Sequence, residues 1–404
     1  MRAIVVGGGV AGAASAIALR KAGAEVTVAE AYEDPAGEVG SFLSLAVNGL
    51  RALDALGCGE AVAGRGFEVA RQRMRAGSGR LLGDVPRGRP PGEPRNSVTL
   101  MRAHLVEELR AAALRAGAEI VTGVRLTAEA VRPAPVPAGG ARVSARGPAT
   151  SAGRGTAPVG GLPGVDVDGA DLVVGADGIW SVVRRALDPA APEPRYAGIY
   201  SVSGVSRSVP AGVAGEPGVF TMTFARNGAF IHLVAPGGEV WWTAQVSSGR
   251  EPVEAGLERL EELYRREEAP LAIIRAATRV HRPALHHVLA EVPVWQDGRT
   301  VLVGDAAHPV GAGQGAAMAV EDAVVLGRAL RQERSVSAAL ARYDRERRAR
   351  LTKTARAASA NRDAKTAGPV GRRVNELLMP FVLRYFYARA TAWLYAEDLS
   401  RALD

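Results

Sequence analysis

The chain is poor in cysteine, lysine and aromatic residues, and each shortage excludes something. Cys58 is the only cysteine in 404 residues. An internal disulfide and a cysteine-based metal cluster are therefore excluded, and a reducing cytoplasm is the expected setting. Lysine occurs only at Lys21, Lys353 and Lys365, so the formal charge of +8 and the pI near 10.0 come almost wholly from arginine. Those arginines are dispersed among acids, and aromatics make up 5% of the chain. No basic stripe interleaved with aromatics exists to follow a nucleic acid, so the charge reads as a mild field for anionic ligands. A clean apolar run of about 18 residues is also missing, and no integral membrane segment is expected. The start, "MRAIVVGGGVAGAASAIALRKAG", has the hydropathy of a signal peptide, but its glycine triplet would break the apolar helix such a signal needs. What remains is 47% hydrophobic and 23% charged, long enough for two packed domains.

What the chain does have is glycine, placed with a pattern. In "RAIVVGGGVAGAASAIALRKAGAEVTVAE", Ile4, Val5 and Val6 read as a buried parallel strand. Gly7, Gly9 and Gly12 match G-x-G-x-x-G, Val10 and Ala11 lie inside that match, a helix continues through Leu19, and a second strand closes at Glu30. Gly7 permits a tight turn, Gly9 lets a pyrophosphate lie against bare backbone, and Gly12 lets the helix pack on the strand. The helix N-terminus supplies free N–H groups for phosphate, and Glu30 stands where a carboxylate accepts the hydroxyls of an adenosine ribose. This pattern predicts a dinucleotide site without separating FAD from NAD.

Two further segments repeat the strand-then-loop design. In "VDVDGADLVVGADGIWSVVRR", Asp168-Gly169 forms a turn before a strand, and Asp177-Gly178 follows that strand's carboxyl end. In "RTVLVGDAAHPVGAGQGAAMAVEDA", another strand ends in a run of glycine and alanine that opens a helix. Ligands of open α/β sheets bind at the carboxyl ends of the strands, and residues this small imply backbone brought close to something.

Together these three segments resemble the single-component, class A flavoprotein monooxygenases, the family of the aromatic hydroxylases. Their order and spacing match that family. So do "SFLSLAVNGLRALDALG" at 41–57, "LMRAHLVEEL" and "LARYDRERRAR". The resemblance covers roughly residues 1–350 and implies an α/β fold: a Rossmann-like FAD-binding domain with an antiparallel-sheet substrate domain. It implies FAD as cofactor, with NADPH or NADH as co-substrate. It also implies that Asp305 meets the ribityl or pyrophosphate part of FAD, and that Gly313 and Gly315 bring backbone against the flavin ring. The helix from about Ala316 would aim its N-terminus at the ring's pyrimidine edge, Arg102 would contact the phosphates or flavin, and Leu126 would meet the adenine through its backbone. Asp177 would support the pyrophosphate and the approach of the nicotinamide. His308 is expected as a turn residue, Cys58 as a filler, and Glu321 and Asp322 as groups for helix solvation and local hydrogen bonding. In two places the chain departs from the family. Only "VGAG" joins the His-Pro pair to Gly-Gln-Gly, with no second proline, and "GIYSVSGVS" replaces a Trp-Arg pair.

The expected FAD-binding domain is discontinuous: 1–70, 98–182 and 285–350. The expected substrate domain takes 71–97 and 183–284, and C-terminal helices take 351–404. Within "GVFTMTFARNGAFIHLVAPGGEVWWTAQV", alternation and the Gly237-Gly238 turn predict a β-hairpin. Phe220, Met222, Phe224 and Trp242 are the candidates to line a substrate pocket, and His232, on a face with Phe230 and Val234, is the candidate base. Residues 132–164, rich in Pro, Gly and Ala without periodicity, read as a flexible insertion. The segment 374–399 reads as a helix pair broken at Pro380 that packs on the substrate domain, contacts a second copy or touches a membrane surface.

The activity this implies is NAD(P)H- and O2-dependent hydroxylation or epoxidation of a small electron-rich molecule through a flavin C4a-hydroperoxide. The short, proline-free loop suggests a bulky aromatic, polyketide or terpenoid-like substrate. The alternatives are a halogenase or reductase on the same fold, or a non-redox FAD-binding cyclase. The Trp-x-Trp-x-Ile-Pro run of tryptophan halogenases is absent. The expected enzyme is a monomer or homodimer without nucleic-acid or metal partners.

Overall fold

The computed structural model describes residues 1–34, 41–132, 165, 167–252, 255–309, 314–365 and 369–404, with side chains from 355 to 370 and at 372 and 375 left out of the description. The 132–164 insertion therefore lies almost wholly outside the described residues. So does the 310–313 loop with Gly313.

The strand Arg2–Val6 is buried from its second residue onward, as its unbroken Ala-Ile-Val-Val run requires. A strand buried on both faces needs helices above and below, which favours parallel pairing. It sits at the centre of a five-stranded sheet in the order 300–302, 172–175, 2–6, 25–29, 119–121. Every pair in it is parallel. The helix Val10–Lys21 packs on this sheet, and the helix Gly315–Gln332 packs against it and against Val47–Leu56. Here the small residues of the later helix find a second use. A Cβ on Gly327 would lie 2.9 Å from Ala18 Cβ, and one on Gly49 would lie 2.8 Å from Ala317 Cβ. Part of the alanine and glycine content is therefore demanded by helix packing as well as by any ligand.

A second, larger sheet runs in the order 277–280, 195–206, 240–247, 228–234, 219–225, 71–76, 81–86, with Ala284–Val288 also pairing onto 195–206. It is antiparallel except where 71–76 meets 219–225. The expected hairpin at Gly237-Gly238 is present, and a second one turns at Arg226-Asn227. Because 284–288 belongs to this sheet, the return to the parallel sheet comes after Val288, slightly later than the sequence suggests. Helices Leu257–Leu263 and Glu268–Arg275 bury one face of the large sheet. The other face turns toward a small antiparallel sheet of 42–45, 97–101 and 67–69.

Pro380 does not break the C-terminal pair. The helix Pro369–Tyr385 runs straight through it, and the break falls before Tyr387–Tyr395. A proline leaves the carbonyl four residues earlier without its usual donor. That carbonyl belongs to Glu376, and Arg80 Nη2 donates to it at 3.0 Å. No helix among the described residues is long and apolar enough to cross a membrane.

Candidate active site

The three glycines of the N-terminal fingerprint have different duties. Gly7 has φ +101°, and a Cβ there would lie 2.5 Å from the carbonyl oxygen of Ala176. A Cβ on Gly12 would lie 1.7 Å from the oxygen of Gly7. Both glycines are required by the fold itself. A Cβ on Gly9 would meet nothing within 4 Å. Its smallness serves no packing, so the open space beside it fits a ligand. Glu30 is buried, and its carboxylate accepts the N–H of Gly8 at 2.5 Å and of Tyr32 at 2.8 Å. It therefore fixes the glycine turn while keeping lone pairs for hydroxyl donors. Val124 N–H donates to the Glu30 carbonyl at 2.8 Å, which ties the segment leading to the buried Leu126 to the same place.

Segments distant in sequence converge here. Val10 and Ala11 form the first turn of the glycine helix. A Cβ on Gly304, which has φ +59°, would lie 2.8 Å from Ala11 Cβ. Arg184 is fully buried and joins the other two loops: Nη1 donates to the Ala306 carbonyl at 3.0 Å and Nη2 to the Ile179 carbonyl at 2.7 Å. Asp177 Oδ2 accepts the N–H groups of Val182 and Val183 at 2.6 and 3.1 Å, capping the next helix, while its buried Oδ1 has no partner. Burial raises the Asp177 carboxyl above the usual carboxylate range, against hydrogen bonds from Ser181, Val183 and Val182.

Asp305 lies deep in the molecule, yet its side chain is open to solvent. Burial raises its carboxyl too, with His308 and Arg102 pulling the other way. Arg102 and Asp305 are thus brought into electrostatic contact, although 203 positions separate them in the sequence. A Cβ on Gly315 would stand 3.8 Å from Asp305 Oδ1, so the carboxylate flanks the first turn of the helix Gly315–Gln332, where Ala316 also lies. The Gln314 Oε1 just before that turn is buried without a partner. Open space at Gly9, orphaned acceptors at Asp177 and Gln314, and free N–H groups at two helix starts fit a dinucleotide bearing phosphates and hydroxyls.

Comparison with known proteins shows the family. A profile of the FAD binding domain matches residues 158–358, and one of an NAD(P)-binding Rossmann-like domain matches 5–54. Aurachin C monooxygenase/isomerase of Stigmatella aurantiaca is 32% identical over 352 residues, spanning 84% of this chain and 83% of that protein. The 3-hydroxybenzoate 6-hydroxylase 1 of Aquipseudomonas alcaligenes is 30% identical over 417 residues, spanning 98% and 97%. The chain belongs to the family of FAD-dependent aromatic hydroxylases. It is a flavoprotein monooxygenase with FAD as cofactor and NAD(P)H as reductant. In fold it is similar to Klebsiella pneumoniae HpxO complexed with FAD and uric acid, with a TM-score of 0.78, 20% identity, and 98% and 97% of the two chains covered.

The expected pocket residues do not share one face of the large sheet. Strand pairing sets Thr221, His232 and Trp242 side by side, and Met222, Ile231, Leu233 and Trp241 on the opposite face. Phe220, Met222 and Trp241 pack with Ile231 and Leu233, with Phe224, Phe42, Phe67 and Met101 against them. Trp241 is 5.3 Å from the Phe67 ring and 6.1 Å from that of Phe42, by centroids. Met101 directly precedes Arg102, so this face borders the nucleotide elements. Trp242 instead stacks on Phe230 at 5.8 Å beneath the covering helices, and its Nε1 donates to Ser206 Oγ at 2.8 Å. His232 lies on that same far face, beside Phe230. Burial lowers its imidazole to about 4, with Arg75 adding to the effect, so it is neutral and in the wrong place for a base on this side.

Glu321 and Asp322 also differ from expectation, since both are fully buried. Arg347 Nη1 bonds Glu321 at 2.7 Å and its Nε bonds Asp322 at 2.6 Å, while Arg350 and Asn48 complete the Glu321 shell. Nothing in the run "DRERRAR" distinguishes Arg347 from its neighbours, because only the helix's docking orientation selects which arginine turns inward. Cys58 is a buried filler as expected, its thiol pushed up to about 12 by burial.

Proposed function

We propose that this enzyme uses NADPH or NADH and O2 to hydroxylate or epoxidise a bulky, electron-rich aromatic, polyketide or terpenoid-like molecule. The observation that carries this reading is the apolar wall of Phe220, Met222, Ile231, Leu233 and Trp241 on the face of the large sheet that meets Phe42, Phe67 and Met101. The bound flavin supplies the redox chemistry: two electrons from the nicotinamide and O2 yield one oxygen atom for the substrate and one water. The chain's own part is to bind, orient and exclude water. Gly9, Glu30, Asp177, Arg102 and Asp305 would hold the cofactor, and the helix start at Gly315–Ala316 would offer N–H groups and positive dipole to a negatively charged ring. The aromatic wall would hold a flat substrate while keeping solvent away.

Substrate bulk is supported by the sequence after Pro309, where Gly311 and Gly313 precede the helix, Gly315 opens it, and no second proline occurs. A cytoplasmic setting belongs to the same proposal, since the reductant is the soluble nicotinamide pool. The test is NAD(P)H consumption with small and polycyclic phenols, followed by product mass under labelled oxygen gas. Incorporation of one labelled atom is expected, with polycyclic compounds favoured. Hydrogen peroxide as the sole product with every compound would sink the proposal.

A further inference from the structure

We propose that the C-terminal helix Pro369–Tyr385 docks this enzyme on an anionic lipid surface, lying among the headgroups without crossing the bilayer. The helix has two apolar sides, and the fold uses one of them. Leu383 and Met379 pack with Met74, Leu82 and Val85 at the edge of the large sheet. On the other side Val374, Leu377, Leu378, Phe381, Val382 and Tyr385 stand exposed, with Phe386 just beyond, and Leu377 is 75% exposed. Their spacing of three and four residues sets these six on one face at 3.6 residues per turn. The rings of Tyr385 and Phe386 lie 4.9 and 5.7 Å from that of Phe381, so the patch is continuous. Seven of the fourteen large apolar side chains exposed among the described residues fall in this stretch, which marks an interaction site and not ordinary scattered exposure.

The charges beside the patch point to its occupant. Arg373 and Arg384 are exposed, and the helical pitch sets both along the rim of the face on its Leu377 side. Arg389 is exposed on the helix Tyr387–Tyr395 that follows. No carboxylate among the described residues pairs with any of these three arginines. The one acid in the helix, Glu376, is engaged by Arg80, whose Nη2 lies 3.6 Å from its carboxylate and donates to its carbonyl at 3.0 Å. Leucine and phenylalanine rimmed by arginine match acyl chains beneath phosphates. The arginine stems lie along the apolar face while the guanidinium groups reach up to the phosphate layer. A second copy of the chain fits less well. In an antiparallel pair of copies like rims meet, which sets Arg373 of one near Arg384 of the other, and like charges so placed repel. The formal charge of +8 on the whole chain adds attraction to an anionic surface.

The test is co-sedimentation of the flavin-loaded full chain with vesicles of phosphatidylcholine alone and of phosphatidylcholine mixed with phosphatidylglycerol. The mixed vesicles should bind about tenfold more tightly or better, the scale of several arginines at an anionic surface, and added salt should remove most of that preference. Arg373→Gln combined with Arg384→Gln should bring the two compositions close together. Leu377→Ser combined with Phe381→Ser should abolish vesicle binding. Flavin content and melting temperature should stay parental in both double variants, because every altered side chain is exposed. Failure of the parent to bind the mixed vesicles overturns the proposal, and so does vesicle binding that the Leu377→Ser, Phe381→Ser variant retains. Sedimentation velocity without lipid reports the rival occupant: a dimer that this variant dissociates, with no vesicle binding by the parent, assigns the face to a second copy.

Discussion

His308 Nε2 lies 2.5 Å from Asp322 Oδ2, and that same carboxylate oxygen accepts the N–H of Gly304 at 2.8 Å. One buried acid on the long helix thus pins both ends of the turn that presents Asp305. Burial alone would raise the Asp322 carboxyl, but His308 and Arg347 outweigh it and hold it below the usual range.

Removing this charge should loosen the cofactor turn. Asp322→Asn leaves Arg347 short of one counter-charge, and breaking a buried pair in this way costs about 3–5 kcal/mol. Urea unfolding of the apoprotein should register that loss, and fluorescence titration should show weaker FAD binding. Unchanged stability would mean that the network is already open to water.

The fingerprint glycines should separate by readout. Gly9→Val is expected to fold with a near-parental melting temperature yet purify without flavin, because its side chain enters only open space. Gly12→Val should fail to fold, since its Cβ would overlap the Gly7 carbonyl. Full FAD occupancy in Gly9→Val would show that the phosphates lie elsewhere.

The nucleotide elements were legible in the sequence because each is local: a strand, a glycine turn and a helix start lie within about a dozen residues. Alternation also placed His232 correctly with Phe230. It could not say which way that pair faces, because helices bury one side of the large sheet and the small antiparallel sheet borders the other, so both faces carry apolar residues. Register parity is readable in such a strand, but direction is not. The Glu321–Arg347 contact was hidden for another reason. Its partners sit on separate helices, and a charged residue in a helix reads as solvated until its neighbour is known.

The adjacent tryptophans offer a direct check of direction. Trp241→Ala should weaken binding of a polycyclic phenol and leave stability less affected, because Trp241 belongs to the apolar wall proposed to hold the substrate. Trp242→Ala should cost about 3–5 kcal/mol, the range for emptying a buried aromatic site, with little change in ligand preference. Calorimetry and flavin-perturbation titration on both variants decide it. The reverse pattern would place the substrate under the covering helices.

His232 predicts a pH dependence of stability with a defined sign. Its imidazole is buried, its Nδ1 has no partner, and its pKa in the folded protein is lowered from 6.5 to about 4. Between those two values the unfolded chain binds a proton that the folded one refuses, so acid favours unfolding. Stability from this group is fully present above about pH 6.5 and is lost as pH falls toward 4, by an amount on the order of 2–3 kcal/mol. Replacing the imidazole with the apolar His232→Leu should flatten that part of the curve. Urea midpoints measured from pH 7 downward should therefore show the parent losing stability relative to the variant as the pH falls. The turnover profile of His232→Leu should keep its shape, because the ring lies on the helix-covered face of the sheet with Phe230 and Trp242. A lost acidic limb in that profile, or parallel stability curves, would return His232 to the reacting side of the sheet.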